Sequence, residues 1–299
     1  MIYLLVTSLI WAFSFGLIGN LLKEVDAHAL AAARLALAAL VVAPLLRVRR
    51  LLPAAVLAAA GVGAVQYGLM YLALFRSYRF LQSHEIAFFT VFTPIYVALI
   101  HDAFERRFHP VYLATALLAV VGTAVVKYGE LRSDQFWAGF GTVQVSNVCF
   151  AFGQVAYRRW RARIPEASDF GVFGLLYAGA LIVALAGWVG LSDATAPPLD
   201  RRQVFAVVYL GVVASGIAFF LWNVGATRVN AGALAIFNNL KIPLAVAVSL
   251  IVFREQANLP RLILGGLLCL AALVLNERFS PSPHGTGPAA QRRREETMG

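Results

Sequence analysis

The sequence predicts an all-α integral membrane protein with ten transmembrane helices, arranged as two inverted five-helix repeats. Three observations support this prediction. Of the 299 residues, 60% are hydrophobic and 13% are charged, whereas about 25% of the residues in soluble domains are charged. Ten apolar runs of near membrane-spanning length follow one another. Five runs lie on each side of a polar linker, so the second half must enter the membrane in the opposite orientation to the first.

Each apolar run can cross the hydrocarbon layer as a helix, which satisfies its own backbone hydrogen bonds in lipid. We assign residues 1–128 to the first repeat, 129–135 to the linker and 136–279 to the second repeat. Residues 280–299 are rich in Pro, Gly and charge, and we expect a disordered tail there. In chain order, the runs are Ile2–Leu22, Ala27–Leu46, Pro53–Phe75, Ser83–Ile100, Pro110–Val126, Phe136–Tyr157, Phe170–Leu191, Gln203–Asn223, Ala231–Phe253 and Leu259–Asn276.

The basic residues indicate how the chain is oriented. If the N-terminus is cytoplasmic, the inner loops and the tail hold 14 Lys and Arg residues and the outer loops hold nine. Cytoplasmic loops are the ones enriched in Lys and Arg, so we expect both termini in the cytoplasm of a bacterial-type inner membrane. The same distribution accounts for the basic net charge without a nucleic-acid partner. The first run begins at once, and no cleavable signal peptide is expected.

The two halves share a pattern around a proline. A shift of 149 residues pairs Arg79 with Arg228, and it also pairs Phe88 with Phe237. Pro94 then falls on Pro243. Inverted repeats with proline-interrupted helices in matching places are typical of secondary transporters, whose substrate site lies near the membrane midplane.

Several motifs carry a resemblance to a known family. They are "WAFSFG" (Trp11–Gly16), Arg34, "FTPIYVALIHDAFER" (Phe92–Arg106) and "KIPLAVAVSLIVFREQ" (Lys241–Gln256), the last followed by "LILGGLLCLAALVLN". Together they resemble the EamA-type members of the drug/metabolite transporter superfamily, over essentially the whole of residues 1–276. The resemblance implies two five-helix repeats and a transporter of small metabolites, with amino-acid export as the commonest well-defined activity. The chain departs from the family at Lys241, because family members often carry an acidic residue before the second-repeat proline.

Lys241 is the main candidate for substrate binding. It lies near the middle of its run, about 16 Å from each interface at ~1.5 Å per residue. A charge at the centre of the bilayer costs about 2.5–3.5 kcal/mol, so it should face an aqueous cavity or a partner. We predict that Lys241, Asn238 and Asn239 form the polar floor of a substrate cavity. The alternative is a structural lysine bonded to carbonyls of a neighbouring helix.

The equivalent positions in the first repeat are aromatic or weakly polar, namely Phe89, Thr90 and Phe92. A site between the repeats would then have a charged end and an apolar end. This suits a small amphiphile with a carboxylate, such as an amino or keto acid. Polar and aromatic residues that share a turn or a face within other spans are further cavity candidates: Trp11 and Ser14, then Gln66, Tyr67 and Tyr71, then Gln144 and Asn147.

A second group of residues is predicted to act in gating or structure: Arg34, His84, Glu85, Pro94 and Pro243. Arg34 either fixes helix ends through carbonyl hydrogen bonds or binds a substrate anion. Ser83 is predicted to cap a helix that has Glu85 in its first turn. The alternative is that His84 and Glu85 gate the cavity or carry a proton.

The most consistent function is a secondary-active or facilitative carrier of a small molecule, embedded in the lipid bilayer and working by alternating access. Drugs, nucleosides and amines are alternative substrate classes, and a channel or an intramembrane enzyme are alternative functions. The sequence has no HExxH, GxSxG or Walker motif, and no two of its five histidines share a helix at the i, i+4 spacing of metal ligands. We expect no metal or cofactor, packing roles for Cys149 and Cys269, and a monomer or weak homodimer.

Overall fold

The structure is a computed structural model that describes residues 2–46, 51–106, 110–126, 134–164, 169–192, 198–226 and 231–279. Every regular element in these ranges is helical. The predicted tail at 280–299 lies outside the described residues. The α-helices are α1 Ile2–Leu21, α2 Ala27–Val42, α3 Pro53–Gly63, α4 Met70–Ser77, α5 Ser83–Phe89, α6 Thr93–Glu105, α7 Pro110–Val126, α8 Asp134–Ala162, α9 Asp169–Leu191, α10 Arg201–Val208, α11 Ala218–Ala226, α12 Ala231–Ile251 and α13 Leu259–Phe279.

Within the described ranges, six helices are long and apolar enough to cross a membrane, and further apolar helices are shorter. Many large hydrophobic side chains on these helices are exposed, such as Leu40, Val189 and Phe205. Extensive exposed apolar surface on long apolar helices is typical of a face turned towards lipid. The prediction of an all-α membrane protein is confirmed. The six spans are Ile2–Leu21, Ala27–Leu45, Pro53–Ser77, Ser83–Glu105, Gly171–Leu191 and Arg201–Trp222.

Three of the long spans change their helical type near the middle. A π-helical segment at Ala64–Leu69 joins α3 to α4, and another at Tyr209–Ile217 joins α10 to α11. A 3₁₀ turn at Thr90–Phe92 joins α5 to α6, and Pro94 stands in the first turn of α6. π-helical segments are rare and are frequent at functional sites. The sequence did not predict either of them.

The two prolines expected to interrupt helices behave differently. The span around Pro94 is divided by the 3₁₀ turn, whereas α12 continues through Pro243 as one helix. The expectation of a matching interruption in both halves is therefore met in the first half only.

One predicted helix boundary is wrong, and α8 begins within the segment assigned to the linker. Gln82, and not Ser83, is the N-cap of α5, and its backbone N–H donates to Oε2 of Glu85 at 2.9 Å. The predicted linker ended at residue 135, but α8 begins at Asp134 and runs to Ala162. The extension past the apolar run is stabilised by Trp160, whose Nε1–H donates to the carbonyl oxygen of Ala55 at 3.0 Å.

Glycines let α3 and α9 approach each other closely. A Cβ atom on Gly63 would lie 1.9 Å from the carbonyl oxygen of Leu176, and one on Gly179 would lie 1.8 Å from the carbonyl oxygen of Ala60. Elsewhere α7 packs on α13, where the thiol of Cys269 donates to the carbonyl oxygen of Ala119 at 3.5 Å. Cys269 thus has the packing role that its sequence position predicts.

Candidate functional site

A cavity lies where α1, α2, α4, α8 and α12 meet. Its empty volume is about 650 Å³, including the part that is open to solvent. Most of its wall is apolar, with a few polar groups between, as is typical of sites for small molecules. The lining residues are Trp11, Ser14, Phe15, Ile18, Arg34, Met70, Tyr71, Leu74, Tyr78, Thr90, Thr93, Ser146, Asn147, Phe150, Phe219 and Lys241.

Lys241 reaches this cavity from the midpoint of α12. It is the eleventh of the 21 residues of the helix, and 8% of its surface is exposed. Its Nζ lies 5.5 Å from the ring centroid of Trp11 and 5.5 Å from that of Phe150. Both distances fall within the ~6 Å range of a cation–π interaction. Lys241 therefore lines the cavity wall and contacts two aromatic rings.

Trp11 is held in place by contacts with the second half of the chain. Its indole N–H donates to the carbonyl oxygen of Ala214 at 2.9 Å. Its ring centroid lies 4.7 Å from that of Phe219 and 5.1 Å from that of Trp222. Ala214 belongs to the π-helical segment at Tyr209–Ile217. The indole is thus held by α11 and by the π-helical segment, and it also contacts Lys241.

Asn147 connects α8 to the 3₁₀ turn of the first half. Its Nδ2 donates to the carbonyl oxygen of Phe89 at 2.9 Å, and its Oδ1 accepts from the hydroxyl of Thr93 at 3.2 Å. The tighter turn makes this possible, because the backbone N–H of Thr93 donates to Thr90 instead of Phe89. Asn147 therefore completes a backbone hydrogen bond at the change of helical type and lines the cavity as well.

Arg34 is the second cation in the cavity wall. Its Nε–H donates to the hydroxyl of Ser215 at 2.7 Å, and its Cζ lies 4.4 Å from the ring centroid of Tyr71. The hydroxyls of Tyr71 and Ser215 are 3.1 Å apart. Arg34 thus contacts a hydroxyl in the described structure, where the sequence led us to expect helix carbonyls or a substrate anion.

Several predicted site residues lie outside the cavity wall. Gln66 packs against Gly153, and Tyr67 stacks on Tyr177 with 5.3 Å between centroids. Phe89 and Phe92 are buried against Phe140, and Gln144 accepts from Tyr96 at 3.1 Å. The side chains of Asn238 and Asn239 lie outside the described part of the structure. Trp11, Ser14, Tyr71, Asn147 and Lys241 are the predicted binding residues that the cavity brings together.

His84 and Glu85 lie at the start of α5, away from the cavity described above. Glu85 bonds the first turn of its own helix, whereas the imidazole of His84 pairs with Glu255. Glu255 was not singled out in the sequence, because it follows an apolar run in a segment that reads as an ordinary loop. Within the described ranges, no group of three or more His, Cys, Asp or Glu residues could hold a metal ion.

The comparison with protein families decides the class of protein. The model of the EamA-like transporter family matches residues 1–128 and 137–277. The chain belongs to the EamA-like transporter family. This membership confirms the resemblance found in the sequence, and it makes the chain a membrane transporter and not an enzyme.

Three relatives of this EamA-like transporter carry the name of a biotin transporter. The "Biotin transporter" of Escherichia coli (strain K12) is 40% identical over 297 residues, which cover 99% of this chain and 98% of the relative. The "Probable biotin transporter" of Pseudomonas aeruginosa is 40% identical over 279 residues, which cover 92% of this chain and 96% of the relative. The "Biotin transporter" of Salmonella typhimurium is 39% identical over 297 residues, covering 99% and 98%.

A solved structure described as "Crystal structure of protein" has the same fold. It aligns with a TM-score of 0.61 over 94% of this chain and 98% of its own, with 19% sequence identity. At this level of identity the likeness concerns the fold alone.

Proposed function

We propose that this EamA-like transporter carries biotin across the membrane by alternating access, and that Lys241 binds the carboxylate of the substrate. The observation that carries the proposal is the position of the Lys241 ammonium inside a largely apolar cavity. Biotin combines an ionised carboxylate with an apolar chain and ring. The names of the relatives favour biotin over the amino acids expected from the sequence, and both substrates share the carboxylate.

Attraction between opposite charges is stronger in a low-dielectric cavity than in water. The ammonium of Lys241 lines the cavity, where the carboxylate of a ligand can reach it. A charge-assisted hydrogen bond from the ammonium to a carboxylate is stronger than a neutral one. The aromatic side chains of Trp11, Phe150 and Phe219 can cover the apolar part of the ligand at the same time. The site would then bind an amphiphilic acid better than either a plain hydrocarbon or a small polar acid.

We further infer that the chain forms ten transmembrane helices in two inverted repeats. Three features support this arrangement. The family model matches two segments of similar length. The sequence shift of 149 carries the first π-helical segment, 64–69, onto 213–218, which overlaps the second one at Tyr209–Ile217. The same shift pairs Phe104 with Phe253. Shortly after each phenylalanine, an arginine adopts a left-handed backbone conformation: Arg106 with φ of 53° and Arg254 with φ of 56°.

The orientation with both termini in the cytoplasm of an inner membrane is also proposed. It is supported by the excess of basic residues in the loops assigned to the cytoplasm. A fluorescent protein that folds only in the cytoplasm, fused after Gly299, should be fluorescent, and alkaline phosphatase at the same site should be inactive. The reverse result would contradict the orientation.

Counterflow in liposomes tests the proposed function. Purified protein is reconstituted into vesicles loaded with unlabelled biotin, and uptake of labelled biotin is followed. We expect saturable uptake that unlabelled biotin inhibits and that amino acids, nucleosides and amines do not. Flux that fails to saturate would indicate a channel, and counterflow driven by an amino acid but not by biotin would contradict the proposed substrate.

A further inference from the structure

A second recognition group, Arg34, stands in the same cavity as Lys241. It lies in the middle of α2, and only 3% of its surface is exposed. Close packing of α2 on the π-helical segment at Tyr209–Ile217 puts it there. A Cβ atom on Gly211 would lie 2.5 Å from Cβ of Leu37 and 3.1 Å from the carbonyl oxygen of Arg34. With no side chain at Gly211, the helices approach closely enough for Arg34 to reach Ser215, four residues further on.

The guanidinium of Arg34 is fixed on two sides. Its Nε–H donates to the hydroxyl of Ser215 at 2.7 Å, and the ring of Tyr71 covers its face at 4.4 Å. Tyr71 is itself held, because its hydroxyl lies 3.1 Å from that of Ser215. A group that is held in this way has lost its orientational freedom before any ligand binds, so a ligand that bonds to it pays little additional ordering entropy.

The two terminal nitrogens of the same guanidinium, Nη1 and Nη2, suggest that a ligand binds to Arg34. Arginine has five N–H donors, of which the Ser215 bond uses one. In the part of the chain that the structure describes, neither Nη1 nor Nη2 donates a hydrogen bond to the protein. Arg34 nevertheless lines the cavity and is almost completely buried. These donors are therefore available to an oxygen acceptor of a ligand bound there.

Trp11 contacts both Lys241 and the helical segment that holds Arg34. Its ring contacts Nζ of Lys241 at 5.5 Å, and its indole N–H bonds to Ala214, the neighbour of the residue that holds Arg34. The indole therefore connects Lys241 with the segment that carries Ser215, the partner of Arg34. A ligand with two oxygen-bearing ends and an apolar body can contact both cations and pack on this indole, because all three groups line the cavity.

We propose that Arg34 determines specificity by donating from its Nη edge to the carbonyl oxygen of the cyclic urea of biotin. This inference rests on the proposed function, and it assigns the carboxylate to Lys241 and the urea to Arg34. A urea oxygen can accept two hydrogen bonds side by side, which the two Nη groups of a fixed guanidinium supply. The ammonium of Lys241, with three donors on a flexible stem, suits the carboxylate end.

Competition binding of three ligands to the purified full-length protein measures the contributions of the carboxylate and of the urea separately. Biotin has both ends, biotin amide lacks the charged carboxylate, and 5-(2-thienyl)pentanoic acid keeps the carboxylate without the urea. We expect wild-type protein to bind biotin roughly 10- to 100-fold more tightly than the thienyl acid, because a hydrogen bond to a charged group is worth about that much. Arg34→Gln should bring this ratio close to one while keeping the preference for biotin over biotin amide.

Matched variants keep the test decisive. Arg76→Gln removes an exposed arginine at the end of α4 and should leave all three affinities unchanged. Ser215→Ala keeps the guanidinium but removes its anchor, and it should lower the biotin-to-thienyl ratio even if Arg34→Gln fails to fold. Equal wild-type affinity for biotin and the thienyl acid would overturn the inference, as would an Arg34→Gln protein that loses only the preference for the carboxylate. Failure of wild-type protein to bind biotin would instead contradict the proposed function.

Discussion

The imidazole Nδ1 of His84 lies 2.7 Å from Oε2 of Glu255. The backbone N–H of His84 donates to the same oxygen at 3.0 Å, and Nδ2 of Asn20 donates to Oε1 at 3.3 Å. These contacts connect α1 and α5 of the first half with the segment that follows α12. Burial raises the pKa of Glu255, but interactions with His84 and Ser83, of which the hydrogen bond from the His84 ring is the largest, outweigh it and lower the pKa from 4.5 to about 2.

The lowered pKa predicts how Glu255→Gln changes stability with pH. A depressed carboxyl pKa contributes stability that is complete above the unfolded value of 4.5 and is lost as the pH falls towards 2. We expect Glu255→Gln to melt below wild type at pH 7, and the difference to shrink steadily below about pH 4.5. Thermal melts of purified protein between pH 3 and pH 7 measure this.

Glu105→Gln is the matched control for that variant. The carboxylate of Glu105 pairs with Arg159 at an exposed position, where both side chains are about 40% accessible. Exposed ion pairs contribute about 0–1 kcal/mol, so this change should have little effect at any pH. A Glu255→Gln difference that is as large at pH 3 as at pH 7 would contradict the account of the His84 pair.

The close contact between α3 and α9 predicts that an added methyl group lowers stability at Gly179 in α9 but not at Gly61 in α3. Gly179→Ala would place a Cβ atom 1.8 Å from the carbonyl oxygen of Ala60, so the helices must separate. Overpacking of this kind costs about 1–3 kcal/mol. Gly61→Ala, in α3, meets nothing within 4 Å and should leave the melting temperature unchanged or raise it. Equal melting temperatures for the two variants would show that the helices are further apart than the structure places them.

Asn147→Ala should destabilise the join between α8 and the 3₁₀ turn. The substitution leaves the carbonyl oxygen of Phe89 without its hydrogen bond in a buried position. The expected loss is about 1–3 kcal/mol in the free energy of unfolding. Thr142→Ala, on the same helix, removes a hydroxyl that bonds only to carbonyls of its own helix and should cost far less. Denaturant titration of both variants measures the difference, and similar losses would contradict this role of Asn147.

The sequence identified several polar residues of the cavity wall because a polar side chain in an apolar run is conspicuous. Lys241, Arg34 and Asn147 are all visible in this way. Phe150 and Met70 also line the cavity, yet an apolar residue in a transmembrane run gives no sign of whether it faces lipid, another helix or a cavity. That choice depends on how the helices are arranged in space.

Local sequence patterns also could not predict contacts between distant residues or changes of helical type. His84 and Glu255 are 171 residues apart, and nothing near either one identifies the other. The π-helical segments at Ala64–Leu69 and Tyr209–Ile217 occur in runs whose composition reads as ordinary α-helix. Helix contacts such as those of Arg34 with Ser215 accompany the second segment, and these contacts form only in the folded protein.

The most direct test of the central claim is the binding of labelled biotin to purified wild-type protein and to Lys241→Met. The substitution keeps a long apolar side chain and removes the charge that faces the cavity, while Lys23→Met removes a lysine that lies before α2 and outside the cavity. We predict that Lys241→Met weakens biotin binding by at least about tenfold, with Lys23→Met equal to wild type. Wild-type affinity in a folded Lys241→Met protein would show that the carboxylate is not bound by this lysine.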